Sequence, residues 1–192
     1  MATSEHYRAD LSFIATLASE TPGFEGIIDS VEYKPGHVNF TRGEWLTITD
    51  EQSVPAQKFW FGCFEVGGKL RFKIKTFTPD QDLNLHFRAV GLSYNDYAGL
   101  YVTERNGSAY WRLRSPHGNF DTPTVGTHRD LCLLTADKRV MGPSQGGKVR
   151  KPLDNCYVQI ASRPLALALN IEHSGVPLFD SFASDVLPKL YR

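Results

Sequence analysis

Four cations at alternate positions, Lys69, Arg71, Lys73 and Lys75, could hold an anion if they share one face of a strand. Their neighbours say that they do. Leu70, Phe72 and Ile74 fill the intervening positions, and a period of two marks a strand with one buried face. Just upstream runs Phe59-Trp60-Phe61-Gly62-Cys63-Phe64-Glu65-Val66, and Gly67-Gly68 between the two runs suits a type I′ hairpin turn. A two-residue turn sets the register: Val66 faces Lys69, Phe64 faces Arg71, Gly62 faces Lys73 and Trp60 faces Lys75. Opposed residues of an antiparallel pair share a side. One face therefore carries Phe59, Phe61, Cys63, Leu70, Phe72 and Ile74 and reads as core. The other mixes Trp60, Phe64 and Val66 with the four cations.

Three uses of that mixed face compete. It can be plain sheet surface, its aromatics covered by a terminal helix or by lysine stems. It can be a platform on which bases stack while cations track phosphates. It can adhere to glycans or to an acidic membrane, which attracts a basic residue by roughly 1 kcal/mol. The chain has 21 basic and 21 acidic side chains and a formal net charge of zero, which disfavours nucleic acid as the main partner.

A second cluster reads Tyr94-Asn95-Asp96-Tyr97-Ala98-Gly99-Leu100-Tyr101. Tyrosine supplies a flat apolar ring with a polar tip, and Asn and Asp supply planar hydrogen-bonding groups. That combination suits a sugar ring. The plainer reading is a turn whose tyrosines pack on a sheet edge, and exposed aromatic loops can also enter a lipid interface.

Catalytic patterns are weak. Gly142-Pro143-Ser144-Gln145-Gly146 fits Gly-x-Ser-x-Gly, with Asp154 and His173 following in order, but Pro143, Gly147 and Pro152 oppose the helix that a nucleophile elbow requires. The same loop offers Gly142, Gly147 and Lys148 of a P-loop, with Val149 where a magnesium-binding hydroxyl belongs. Asp80, Asp82 and Asn84 open like a calcium loop, but Leu85 and Gly91 occupy its glycine and glutamate positions. The six histidines are scattered and no paired-cysteine motif appears, so no metal or cofactor is implied. His86, Glu104, His128 and Asp130 are the polar residues that converging strands could gather into an enzyme pocket.

The elements that would position these groups are mostly strands. A chain of 192 residues with 41% hydrophobic content reads as one globular domain spanning 1–192. Strand-like segments are Gly26–Lys34, Val38–Thr49, Lys58–Val66, Lys69–Phe77, Leu83–Leu92, Leu100–Glu104, Ala109–Arg114, Asp130–Leu134, Tyr157–Ala161 and Leu165–Ile171. Two stretches, His117–Thr127 and Gly142–Pro152, read as loops. Tyr7, Leu11, Ile14 and Ala18 share a helical face, which predicts a helix over about 7–20, stopped by Thr21-Pro22-Gly23. Phe179, Phe182 and Val186 predict another over 177–187, ended by Pro188. The expected class is all-β: an antiparallel sandwich or barrel with short terminal helices, with a β-trefoil as the alternative. Cys63, Cys132 and Cys156 are odd in number and widely spaced, which suits a reducing compartment. With no apparent signal peptide or membrane span, the expected location is the cytoplasm, or outside the cell by a non-classical route.

Tyr94–Tyr101 and the strand layout resemble those of cytosolic β-sandwich lectins and actinoporin-type pore-forming sandwiches. The likeness rests on that segment and on architecture, with no family motif matched residue by residue. The leading expectation is a non-enzymatic module that recognises carbohydrate or a membrane surface through Tyr94, Asn95, Asp96, Tyr97 and Tyr101. Trp60, Arg71, Lys73 and Lys75 would assist from the basic face. A small-molecule enzyme with an internal pocket and a structural or assembly protein are the alternatives, with homo-oligomerisation left open.

Overall fold

The computed structural model describes residues 4–32, 41–50, 55–77, 87–102, 110–144, 149–150 and 154–179. Fifteen strands follow in order: β1 (Glu5–Tyr7), β2 (Phe13–Ser19), β3 (Gly26–Glu32), β4 (Thr41–Thr49), β5 (Lys58–Val66), β6 (Lys69–Thr76), β7 (Ala89–Leu92), β8 (Ala98–Tyr101), β9 (Tyr110–Ser115), β10 (Gly118–Asn119), β11 (Gly126–Thr135), β12 (Met141–Pro143), β13 (Val149–Arg150), β14 (Asp154–Ile160) and β15 (Leu167–Ser174). A single 3-10 turn, Ala9–Leu11, separates β1 from β2. Pairing runs β2-β15-β11-β9-β6-β7-β8-β4-β3 and returns to β2, so nine antiparallel strands close a barrel. That order does not repeat in threes, as a trefoil would. Strand β5 bridges β2 and β6, while β1 and β14 extend the sheet outside the ring.

The β5–β6 hairpin has the register that its turn dictates, with Val66 opposite Lys69 and Trp60 opposite Lys75. Gly67 and Gly68 have φ of 58° and 71°, the left-handed pair that a type I′ turn needs and that glycine adopts without strain. Phe59, Phe61, Cys63, Phe72 and Ile74 enter the barrel core beside Phe13, Trp111 and Leu169.

The predicted N-terminal helix is a correction: residues 13–19 form β2. Every residue from Phe13 to Ser19 is buried or half-buried, with Phe13, Ala15 and Leu17 in the barrel core and Ile14 in a second cluster outside it. A short continuous apolar run buried on both faces needs a strand, and the helical spacing of Tyr7, Leu11, Ile14 and Ala18 is coincidental. Of the predicted C-terminal helix, Pro177–Phe179 is not helical and 180–187 lies outside the described residues.

That second cluster explains the outer face of the hairpin. Trp60, Phe64, Ile14, Phe77 and Phe87 are sealed by Val176 and Phe179 from the chain's far end. Tyr7 adds a ring 6.3 Å from Trp60 and donates its hydroxyl to the Val176 carbonyl at 2.7 Å. The domain thus has two apolar layers on either side of β2 and β5.

Candidate functional site

Burial decides the role of the basic face. Trp60 is 0% exposed and Phe64 6%, so neither ring can stack on a ligand. This corrects the expectation for Trp60. The cations beside it are occupied. Lys73 Nζ lies 3.0 Å from Glu5 and 4.8 Å from the Phe64 ring centre, and Lys75 Nζ lies 5.7 Å above Trp60. Burial opposes ionisation of Glu5, yet its hydrogen bonds to Tyr110 and Lys73 and the Lys73 charge hold its carboxyl below the usual 4.5. The same environment, burial first and then the bond to Glu5, pushes the Tyr110 hydroxyl up to about 12. Lys73 and Lys75 thus form a fringe over a closed apolar cluster. Arg71 lies opposite Phe64, with β9 on its other side, and donates to the Leu70 carbonyl.

The tyrosine-rich segment lands differently. In β4, Leu46 and Ile48 point inward, so Trp45 points outward; in β14, Cys156 and Val158 point inward, so Tyr157 points outward. Pairing brings them to one surface: Trp45 opposite Gly99, Tyr157 opposite Thr47, and Tyr97 bridged to Gln159. The Tyr97 ring stands edge-on between the other two, 6.3 Å from Trp45 and 6.0 Å from Tyr157. Tyr101 lies across Gly91 and Gly99, where a side chain on either glycine would press on its ring.

A tight turn carries the remaining residues. Ser93 N donates to the Tyr97 carbonyl at 2.8 Å, and Ser93 Oγ receives the Tyr97 amide at 3.1 Å. Asp96 takes φ of 63°, a left-handed conformation that Asp tolerates better than most residues. Its carboxylate leaves the groove for Arg139 Nη1 at 2.8 Å, and Arg139 is also held by Asp137 at 3.0 Å. Asp96 therefore positions the turn.

The result is an outer groove of about 360 Å³, lined by Trp45, Ser93, Tyr94, Asn95, Tyr97 and Tyr157. Its size falls near the lower end of the ~300–1,000 Å³ typical of small-ligand pockets. Tyr94 is 103% exposed and Tyr157 40%, so aromatic surface here is open to solvent. Burial first, then the Glu32 charge and neighbouring Tyr97, raise the Tyr157 hydroxyl above its usual 10. The lining includes no Asp, Glu, Lys, Arg or His and offers flat rings, one amide and several hydroxyls.

Sequence reasoning named Tyr94, Asn95 and Tyr97 and missed Trp45, Ser93 and Tyr157. The alternation Trp45-Leu46-Thr47-Ile48 and the run Cys156-Tyr157-Val158 do mark Trp45 and Tyr157 as outward. Only the pairing of β4 with β8 and β14 shows that they meet Tyr97.

The enzyme candidates do not assemble among the described residues. His86 and Glu104 lie outside them. His128 gives Nε2 to the Thr124 carbonyl at 2.7 Å, and Asp130 is an exposed bulge residue with φ of 58°. Ser144 extends the β12–β14 ladder through its amide to the Tyr157 carbonyl at 2.8 Å, which places it at a strand end. The Asp80–Asn84 segment lies outside the described residues, which hold no group of three metal-ligating side chains. No helix among them is long and apolar enough to cross a membrane.

Together these features define an antiparallel β-barrel domain with an exterior aromatic groove. The chain matches no family model, curated protein or solved structure.

Proposed function

We propose that the protein is a non-enzymatic binding module that takes a neutral carbohydrate in the groove between Trp45, Tyr94, Tyr97 and Tyr157. The observation that carries this reading is the open, uncharged, aromatic lining with Asn95 and Ser93 at its rim. A sugar ring has an apolar C–H face and an equatorial belt of hydroxyls. Exposed aromatic faces cover the first, and amide and hydroxyl groups meet the second. The Asp96 carboxylate is withdrawn into its bond with Arg139, and the Glu32 charge felt at Tyr157 disfavours an anionic sugar, so a neutral glycan is favoured.

A glycan array followed by calorimetry tests the reading. At least one neutral glycan binds, and Trp45→Ala or Tyr94→Ala weakens it tenfold or more, about 1.4 kcal/mol. No glycan bound, or binding indifferent to Tyr94→Ala combined with Tyr97→Ala, contradicts it. Full exposure of Tyr94 at a turn tip also supports a second reading, insertion at a membrane surface. Vesicle retention abolished by Tyr94→Ala, with no glycan bound, selects that one.

A further inference from the structure

A different part of the barrel exterior concentrates unbalanced positive charge. Strand β9 turns Trp111 and Leu113 into the core, which sends Arg112 and Arg114 outward. The register of β6 on β9, Phe72 opposite Trp111 and Lys73 opposite Tyr110, brings Arg71 alongside Arg112. Lys138 joins them from the turn between β11 and β12, where its φ is 72°. Arg112, Arg114 and Lys138 line a cleft of about 490 Å³ with Asn119, Leu134 and Val140.

None of these four cations has a carboxylate within ion-pair distance among the described residues. Arg71 reaches only the Leu70 carbonyl at 2.8 Å, and Arg112 only Asn119 Oδ1 at 3.4 Å. Asp137, next to Lys138 in the chain, and Asp96 are both engaged by Arg139. Elsewhere Lys58 has Glu172, Lys73 has Glu5 and Arg8 has Asp10. Like charges side by side on paired strands destabilise a sheet, so Arg71 beside Arg112 costs stability that a bound anion would return. The crowding is felt at Arg71, whose guanidinium is shifted below its usual range by burial first and by Arg112 second.

The cleft also has an apolar side. Leu134 and Val140 continue into a second depression of about 450 Å³, which shares Arg114 and runs over Leu131 and Leu165, with Asp130 also in its lining. Guanidinium groups match phosphate oxygens in a bidentate fork, and the adjoining wall suits a nonpolar body.

We propose that this cleft binds an organic phosphate, with its anionic head on Arg112, Arg114 and Lys138 and its body against Leu134 and Val140. The chemistry is shared by soluble nucleotides and by lipid phosphates. Calorimetry and amide chemical shifts with three probes, tripolyphosphate, ATP and water-soluble dihexanoyl phosphatidic acid, separate the sources. Binding of ATP or tripolyphosphate assigns a soluble ligand, and binding of phosphatidic acid alone assigns a lipid phosphate.

In either case Arg112→Gln with Arg114→Gln weakens binding tenfold or more, and raised salt weakens it in the wild type. Lys138→Gln, on an exposed turn, gives a smaller loss and serves if the double variant fails to fold. Arg8→Gln with Lys58→Gln removes the same formal charge elsewhere and leaves binding within twofold, as does Trp45→Ala in the aromatic groove. No binding of any probe, or equal loss in the Arg8 and Lys58 variant, overturns the proposal.

Discussion

Two patches of aromatic side chains face outward from this barrel, and they have opposite fates. Around Trp60 the patch carries a second layer. β1 lies along β5, Val176 and Phe179 return from the far end of the chain, and Phe77 and Phe87 close the rim. Around Trp45 no described segment lies on top, and Tyr94 projects fully into solvent. The residue types are similar, and so is the backbone geometry beneath them. Covering turns one patch into core, and the other keeps aromatic surface open to solvent. An aromatic on the outside of a sheet is thus ambiguous until the next layer is known.

The largest expected effect comes from hollowing the covered patch. Trp60→Ala removes a fully buried ring and costs about 3–5 kcal/mol, read as a lowered denaturation midpoint. Phe179→Ala opens the same cluster from its lid and acts in the same direction. Tyr94→Ala in the open patch changes stability by no more than about 0.5 kcal/mol. Comparable losses at both positions would erase the distinction.

Next come the glycines beneath each patch. A methyl on Gly62 would overlap the Trp60 ring, which is sealed in place, so Gly62→Ala costs in the range of ~1–3 kcal/mol. A methyl on Gly99 would meet the Tyr101 hydroxyl at 3.0 Å and the Glu44 carbonyl oxygen at 3.2 Å, tight contacts without the overlap found at Gly62. Gly99→Ala is therefore the milder change. The order of the two midpoints is the measurement, and its reversal would mean that Tyr101 is the more tightly held ring.

The smallest effect is electrostatic, at the edge of the cover. Glu5 titrates below its usual 4.5 because Tyr110 and Lys73 favour its ionised form over the opposing effect of burial. Its contribution is present above the unfolded value and is lost as pH falls through the lower folded one. The side chain is 39% exposed, so solvent screens most of this. Melting temperature followed from pH 6 downward shows a small advantage of wild type over Glu5→Gln that shrinks through the acid range. An advantage independent of pH would make the clamp steric.

Local patterning made part of this contrast legible. The hairpin register follows from Gly67-Gly68 and the Leu70-Phe72-Ile74 alternation, because a two-residue turn leaves the pairing no freedom. The core face of β5 and β6 was readable for the same reason. Residues 13–19 misled, since a strand buried on both sides shows no alternation and its apolar run matched a helical face by chance. The cover over Trp60 is illegible locally because Val176 and Phe179 lie more than a hundred residues away in sequence. Tyr94, Asn95 and Tyr97 announced themselves as a cluster in the chain. Trp45 and Tyr157 are isolated in sequence and gain meaning only when β4, β8 and β14 align.

The Trp45 patch is the open one, and we propose that it receives a sugar. The chain has three tryptophans, and two of them, Trp60 and Trp111, are buried. Fluorotryptophan labelling gives one fluorine resonance for each, assigned by single Trp→Phe variants. Titration with the glycans retained on an array should shift the Trp45 resonance alone, saturably, and Tyr94→Ala should suppress that shift. A Trp45 resonance that stays fixed while a glycan binds, or a shift at Trp60 in its place, would contradict the account.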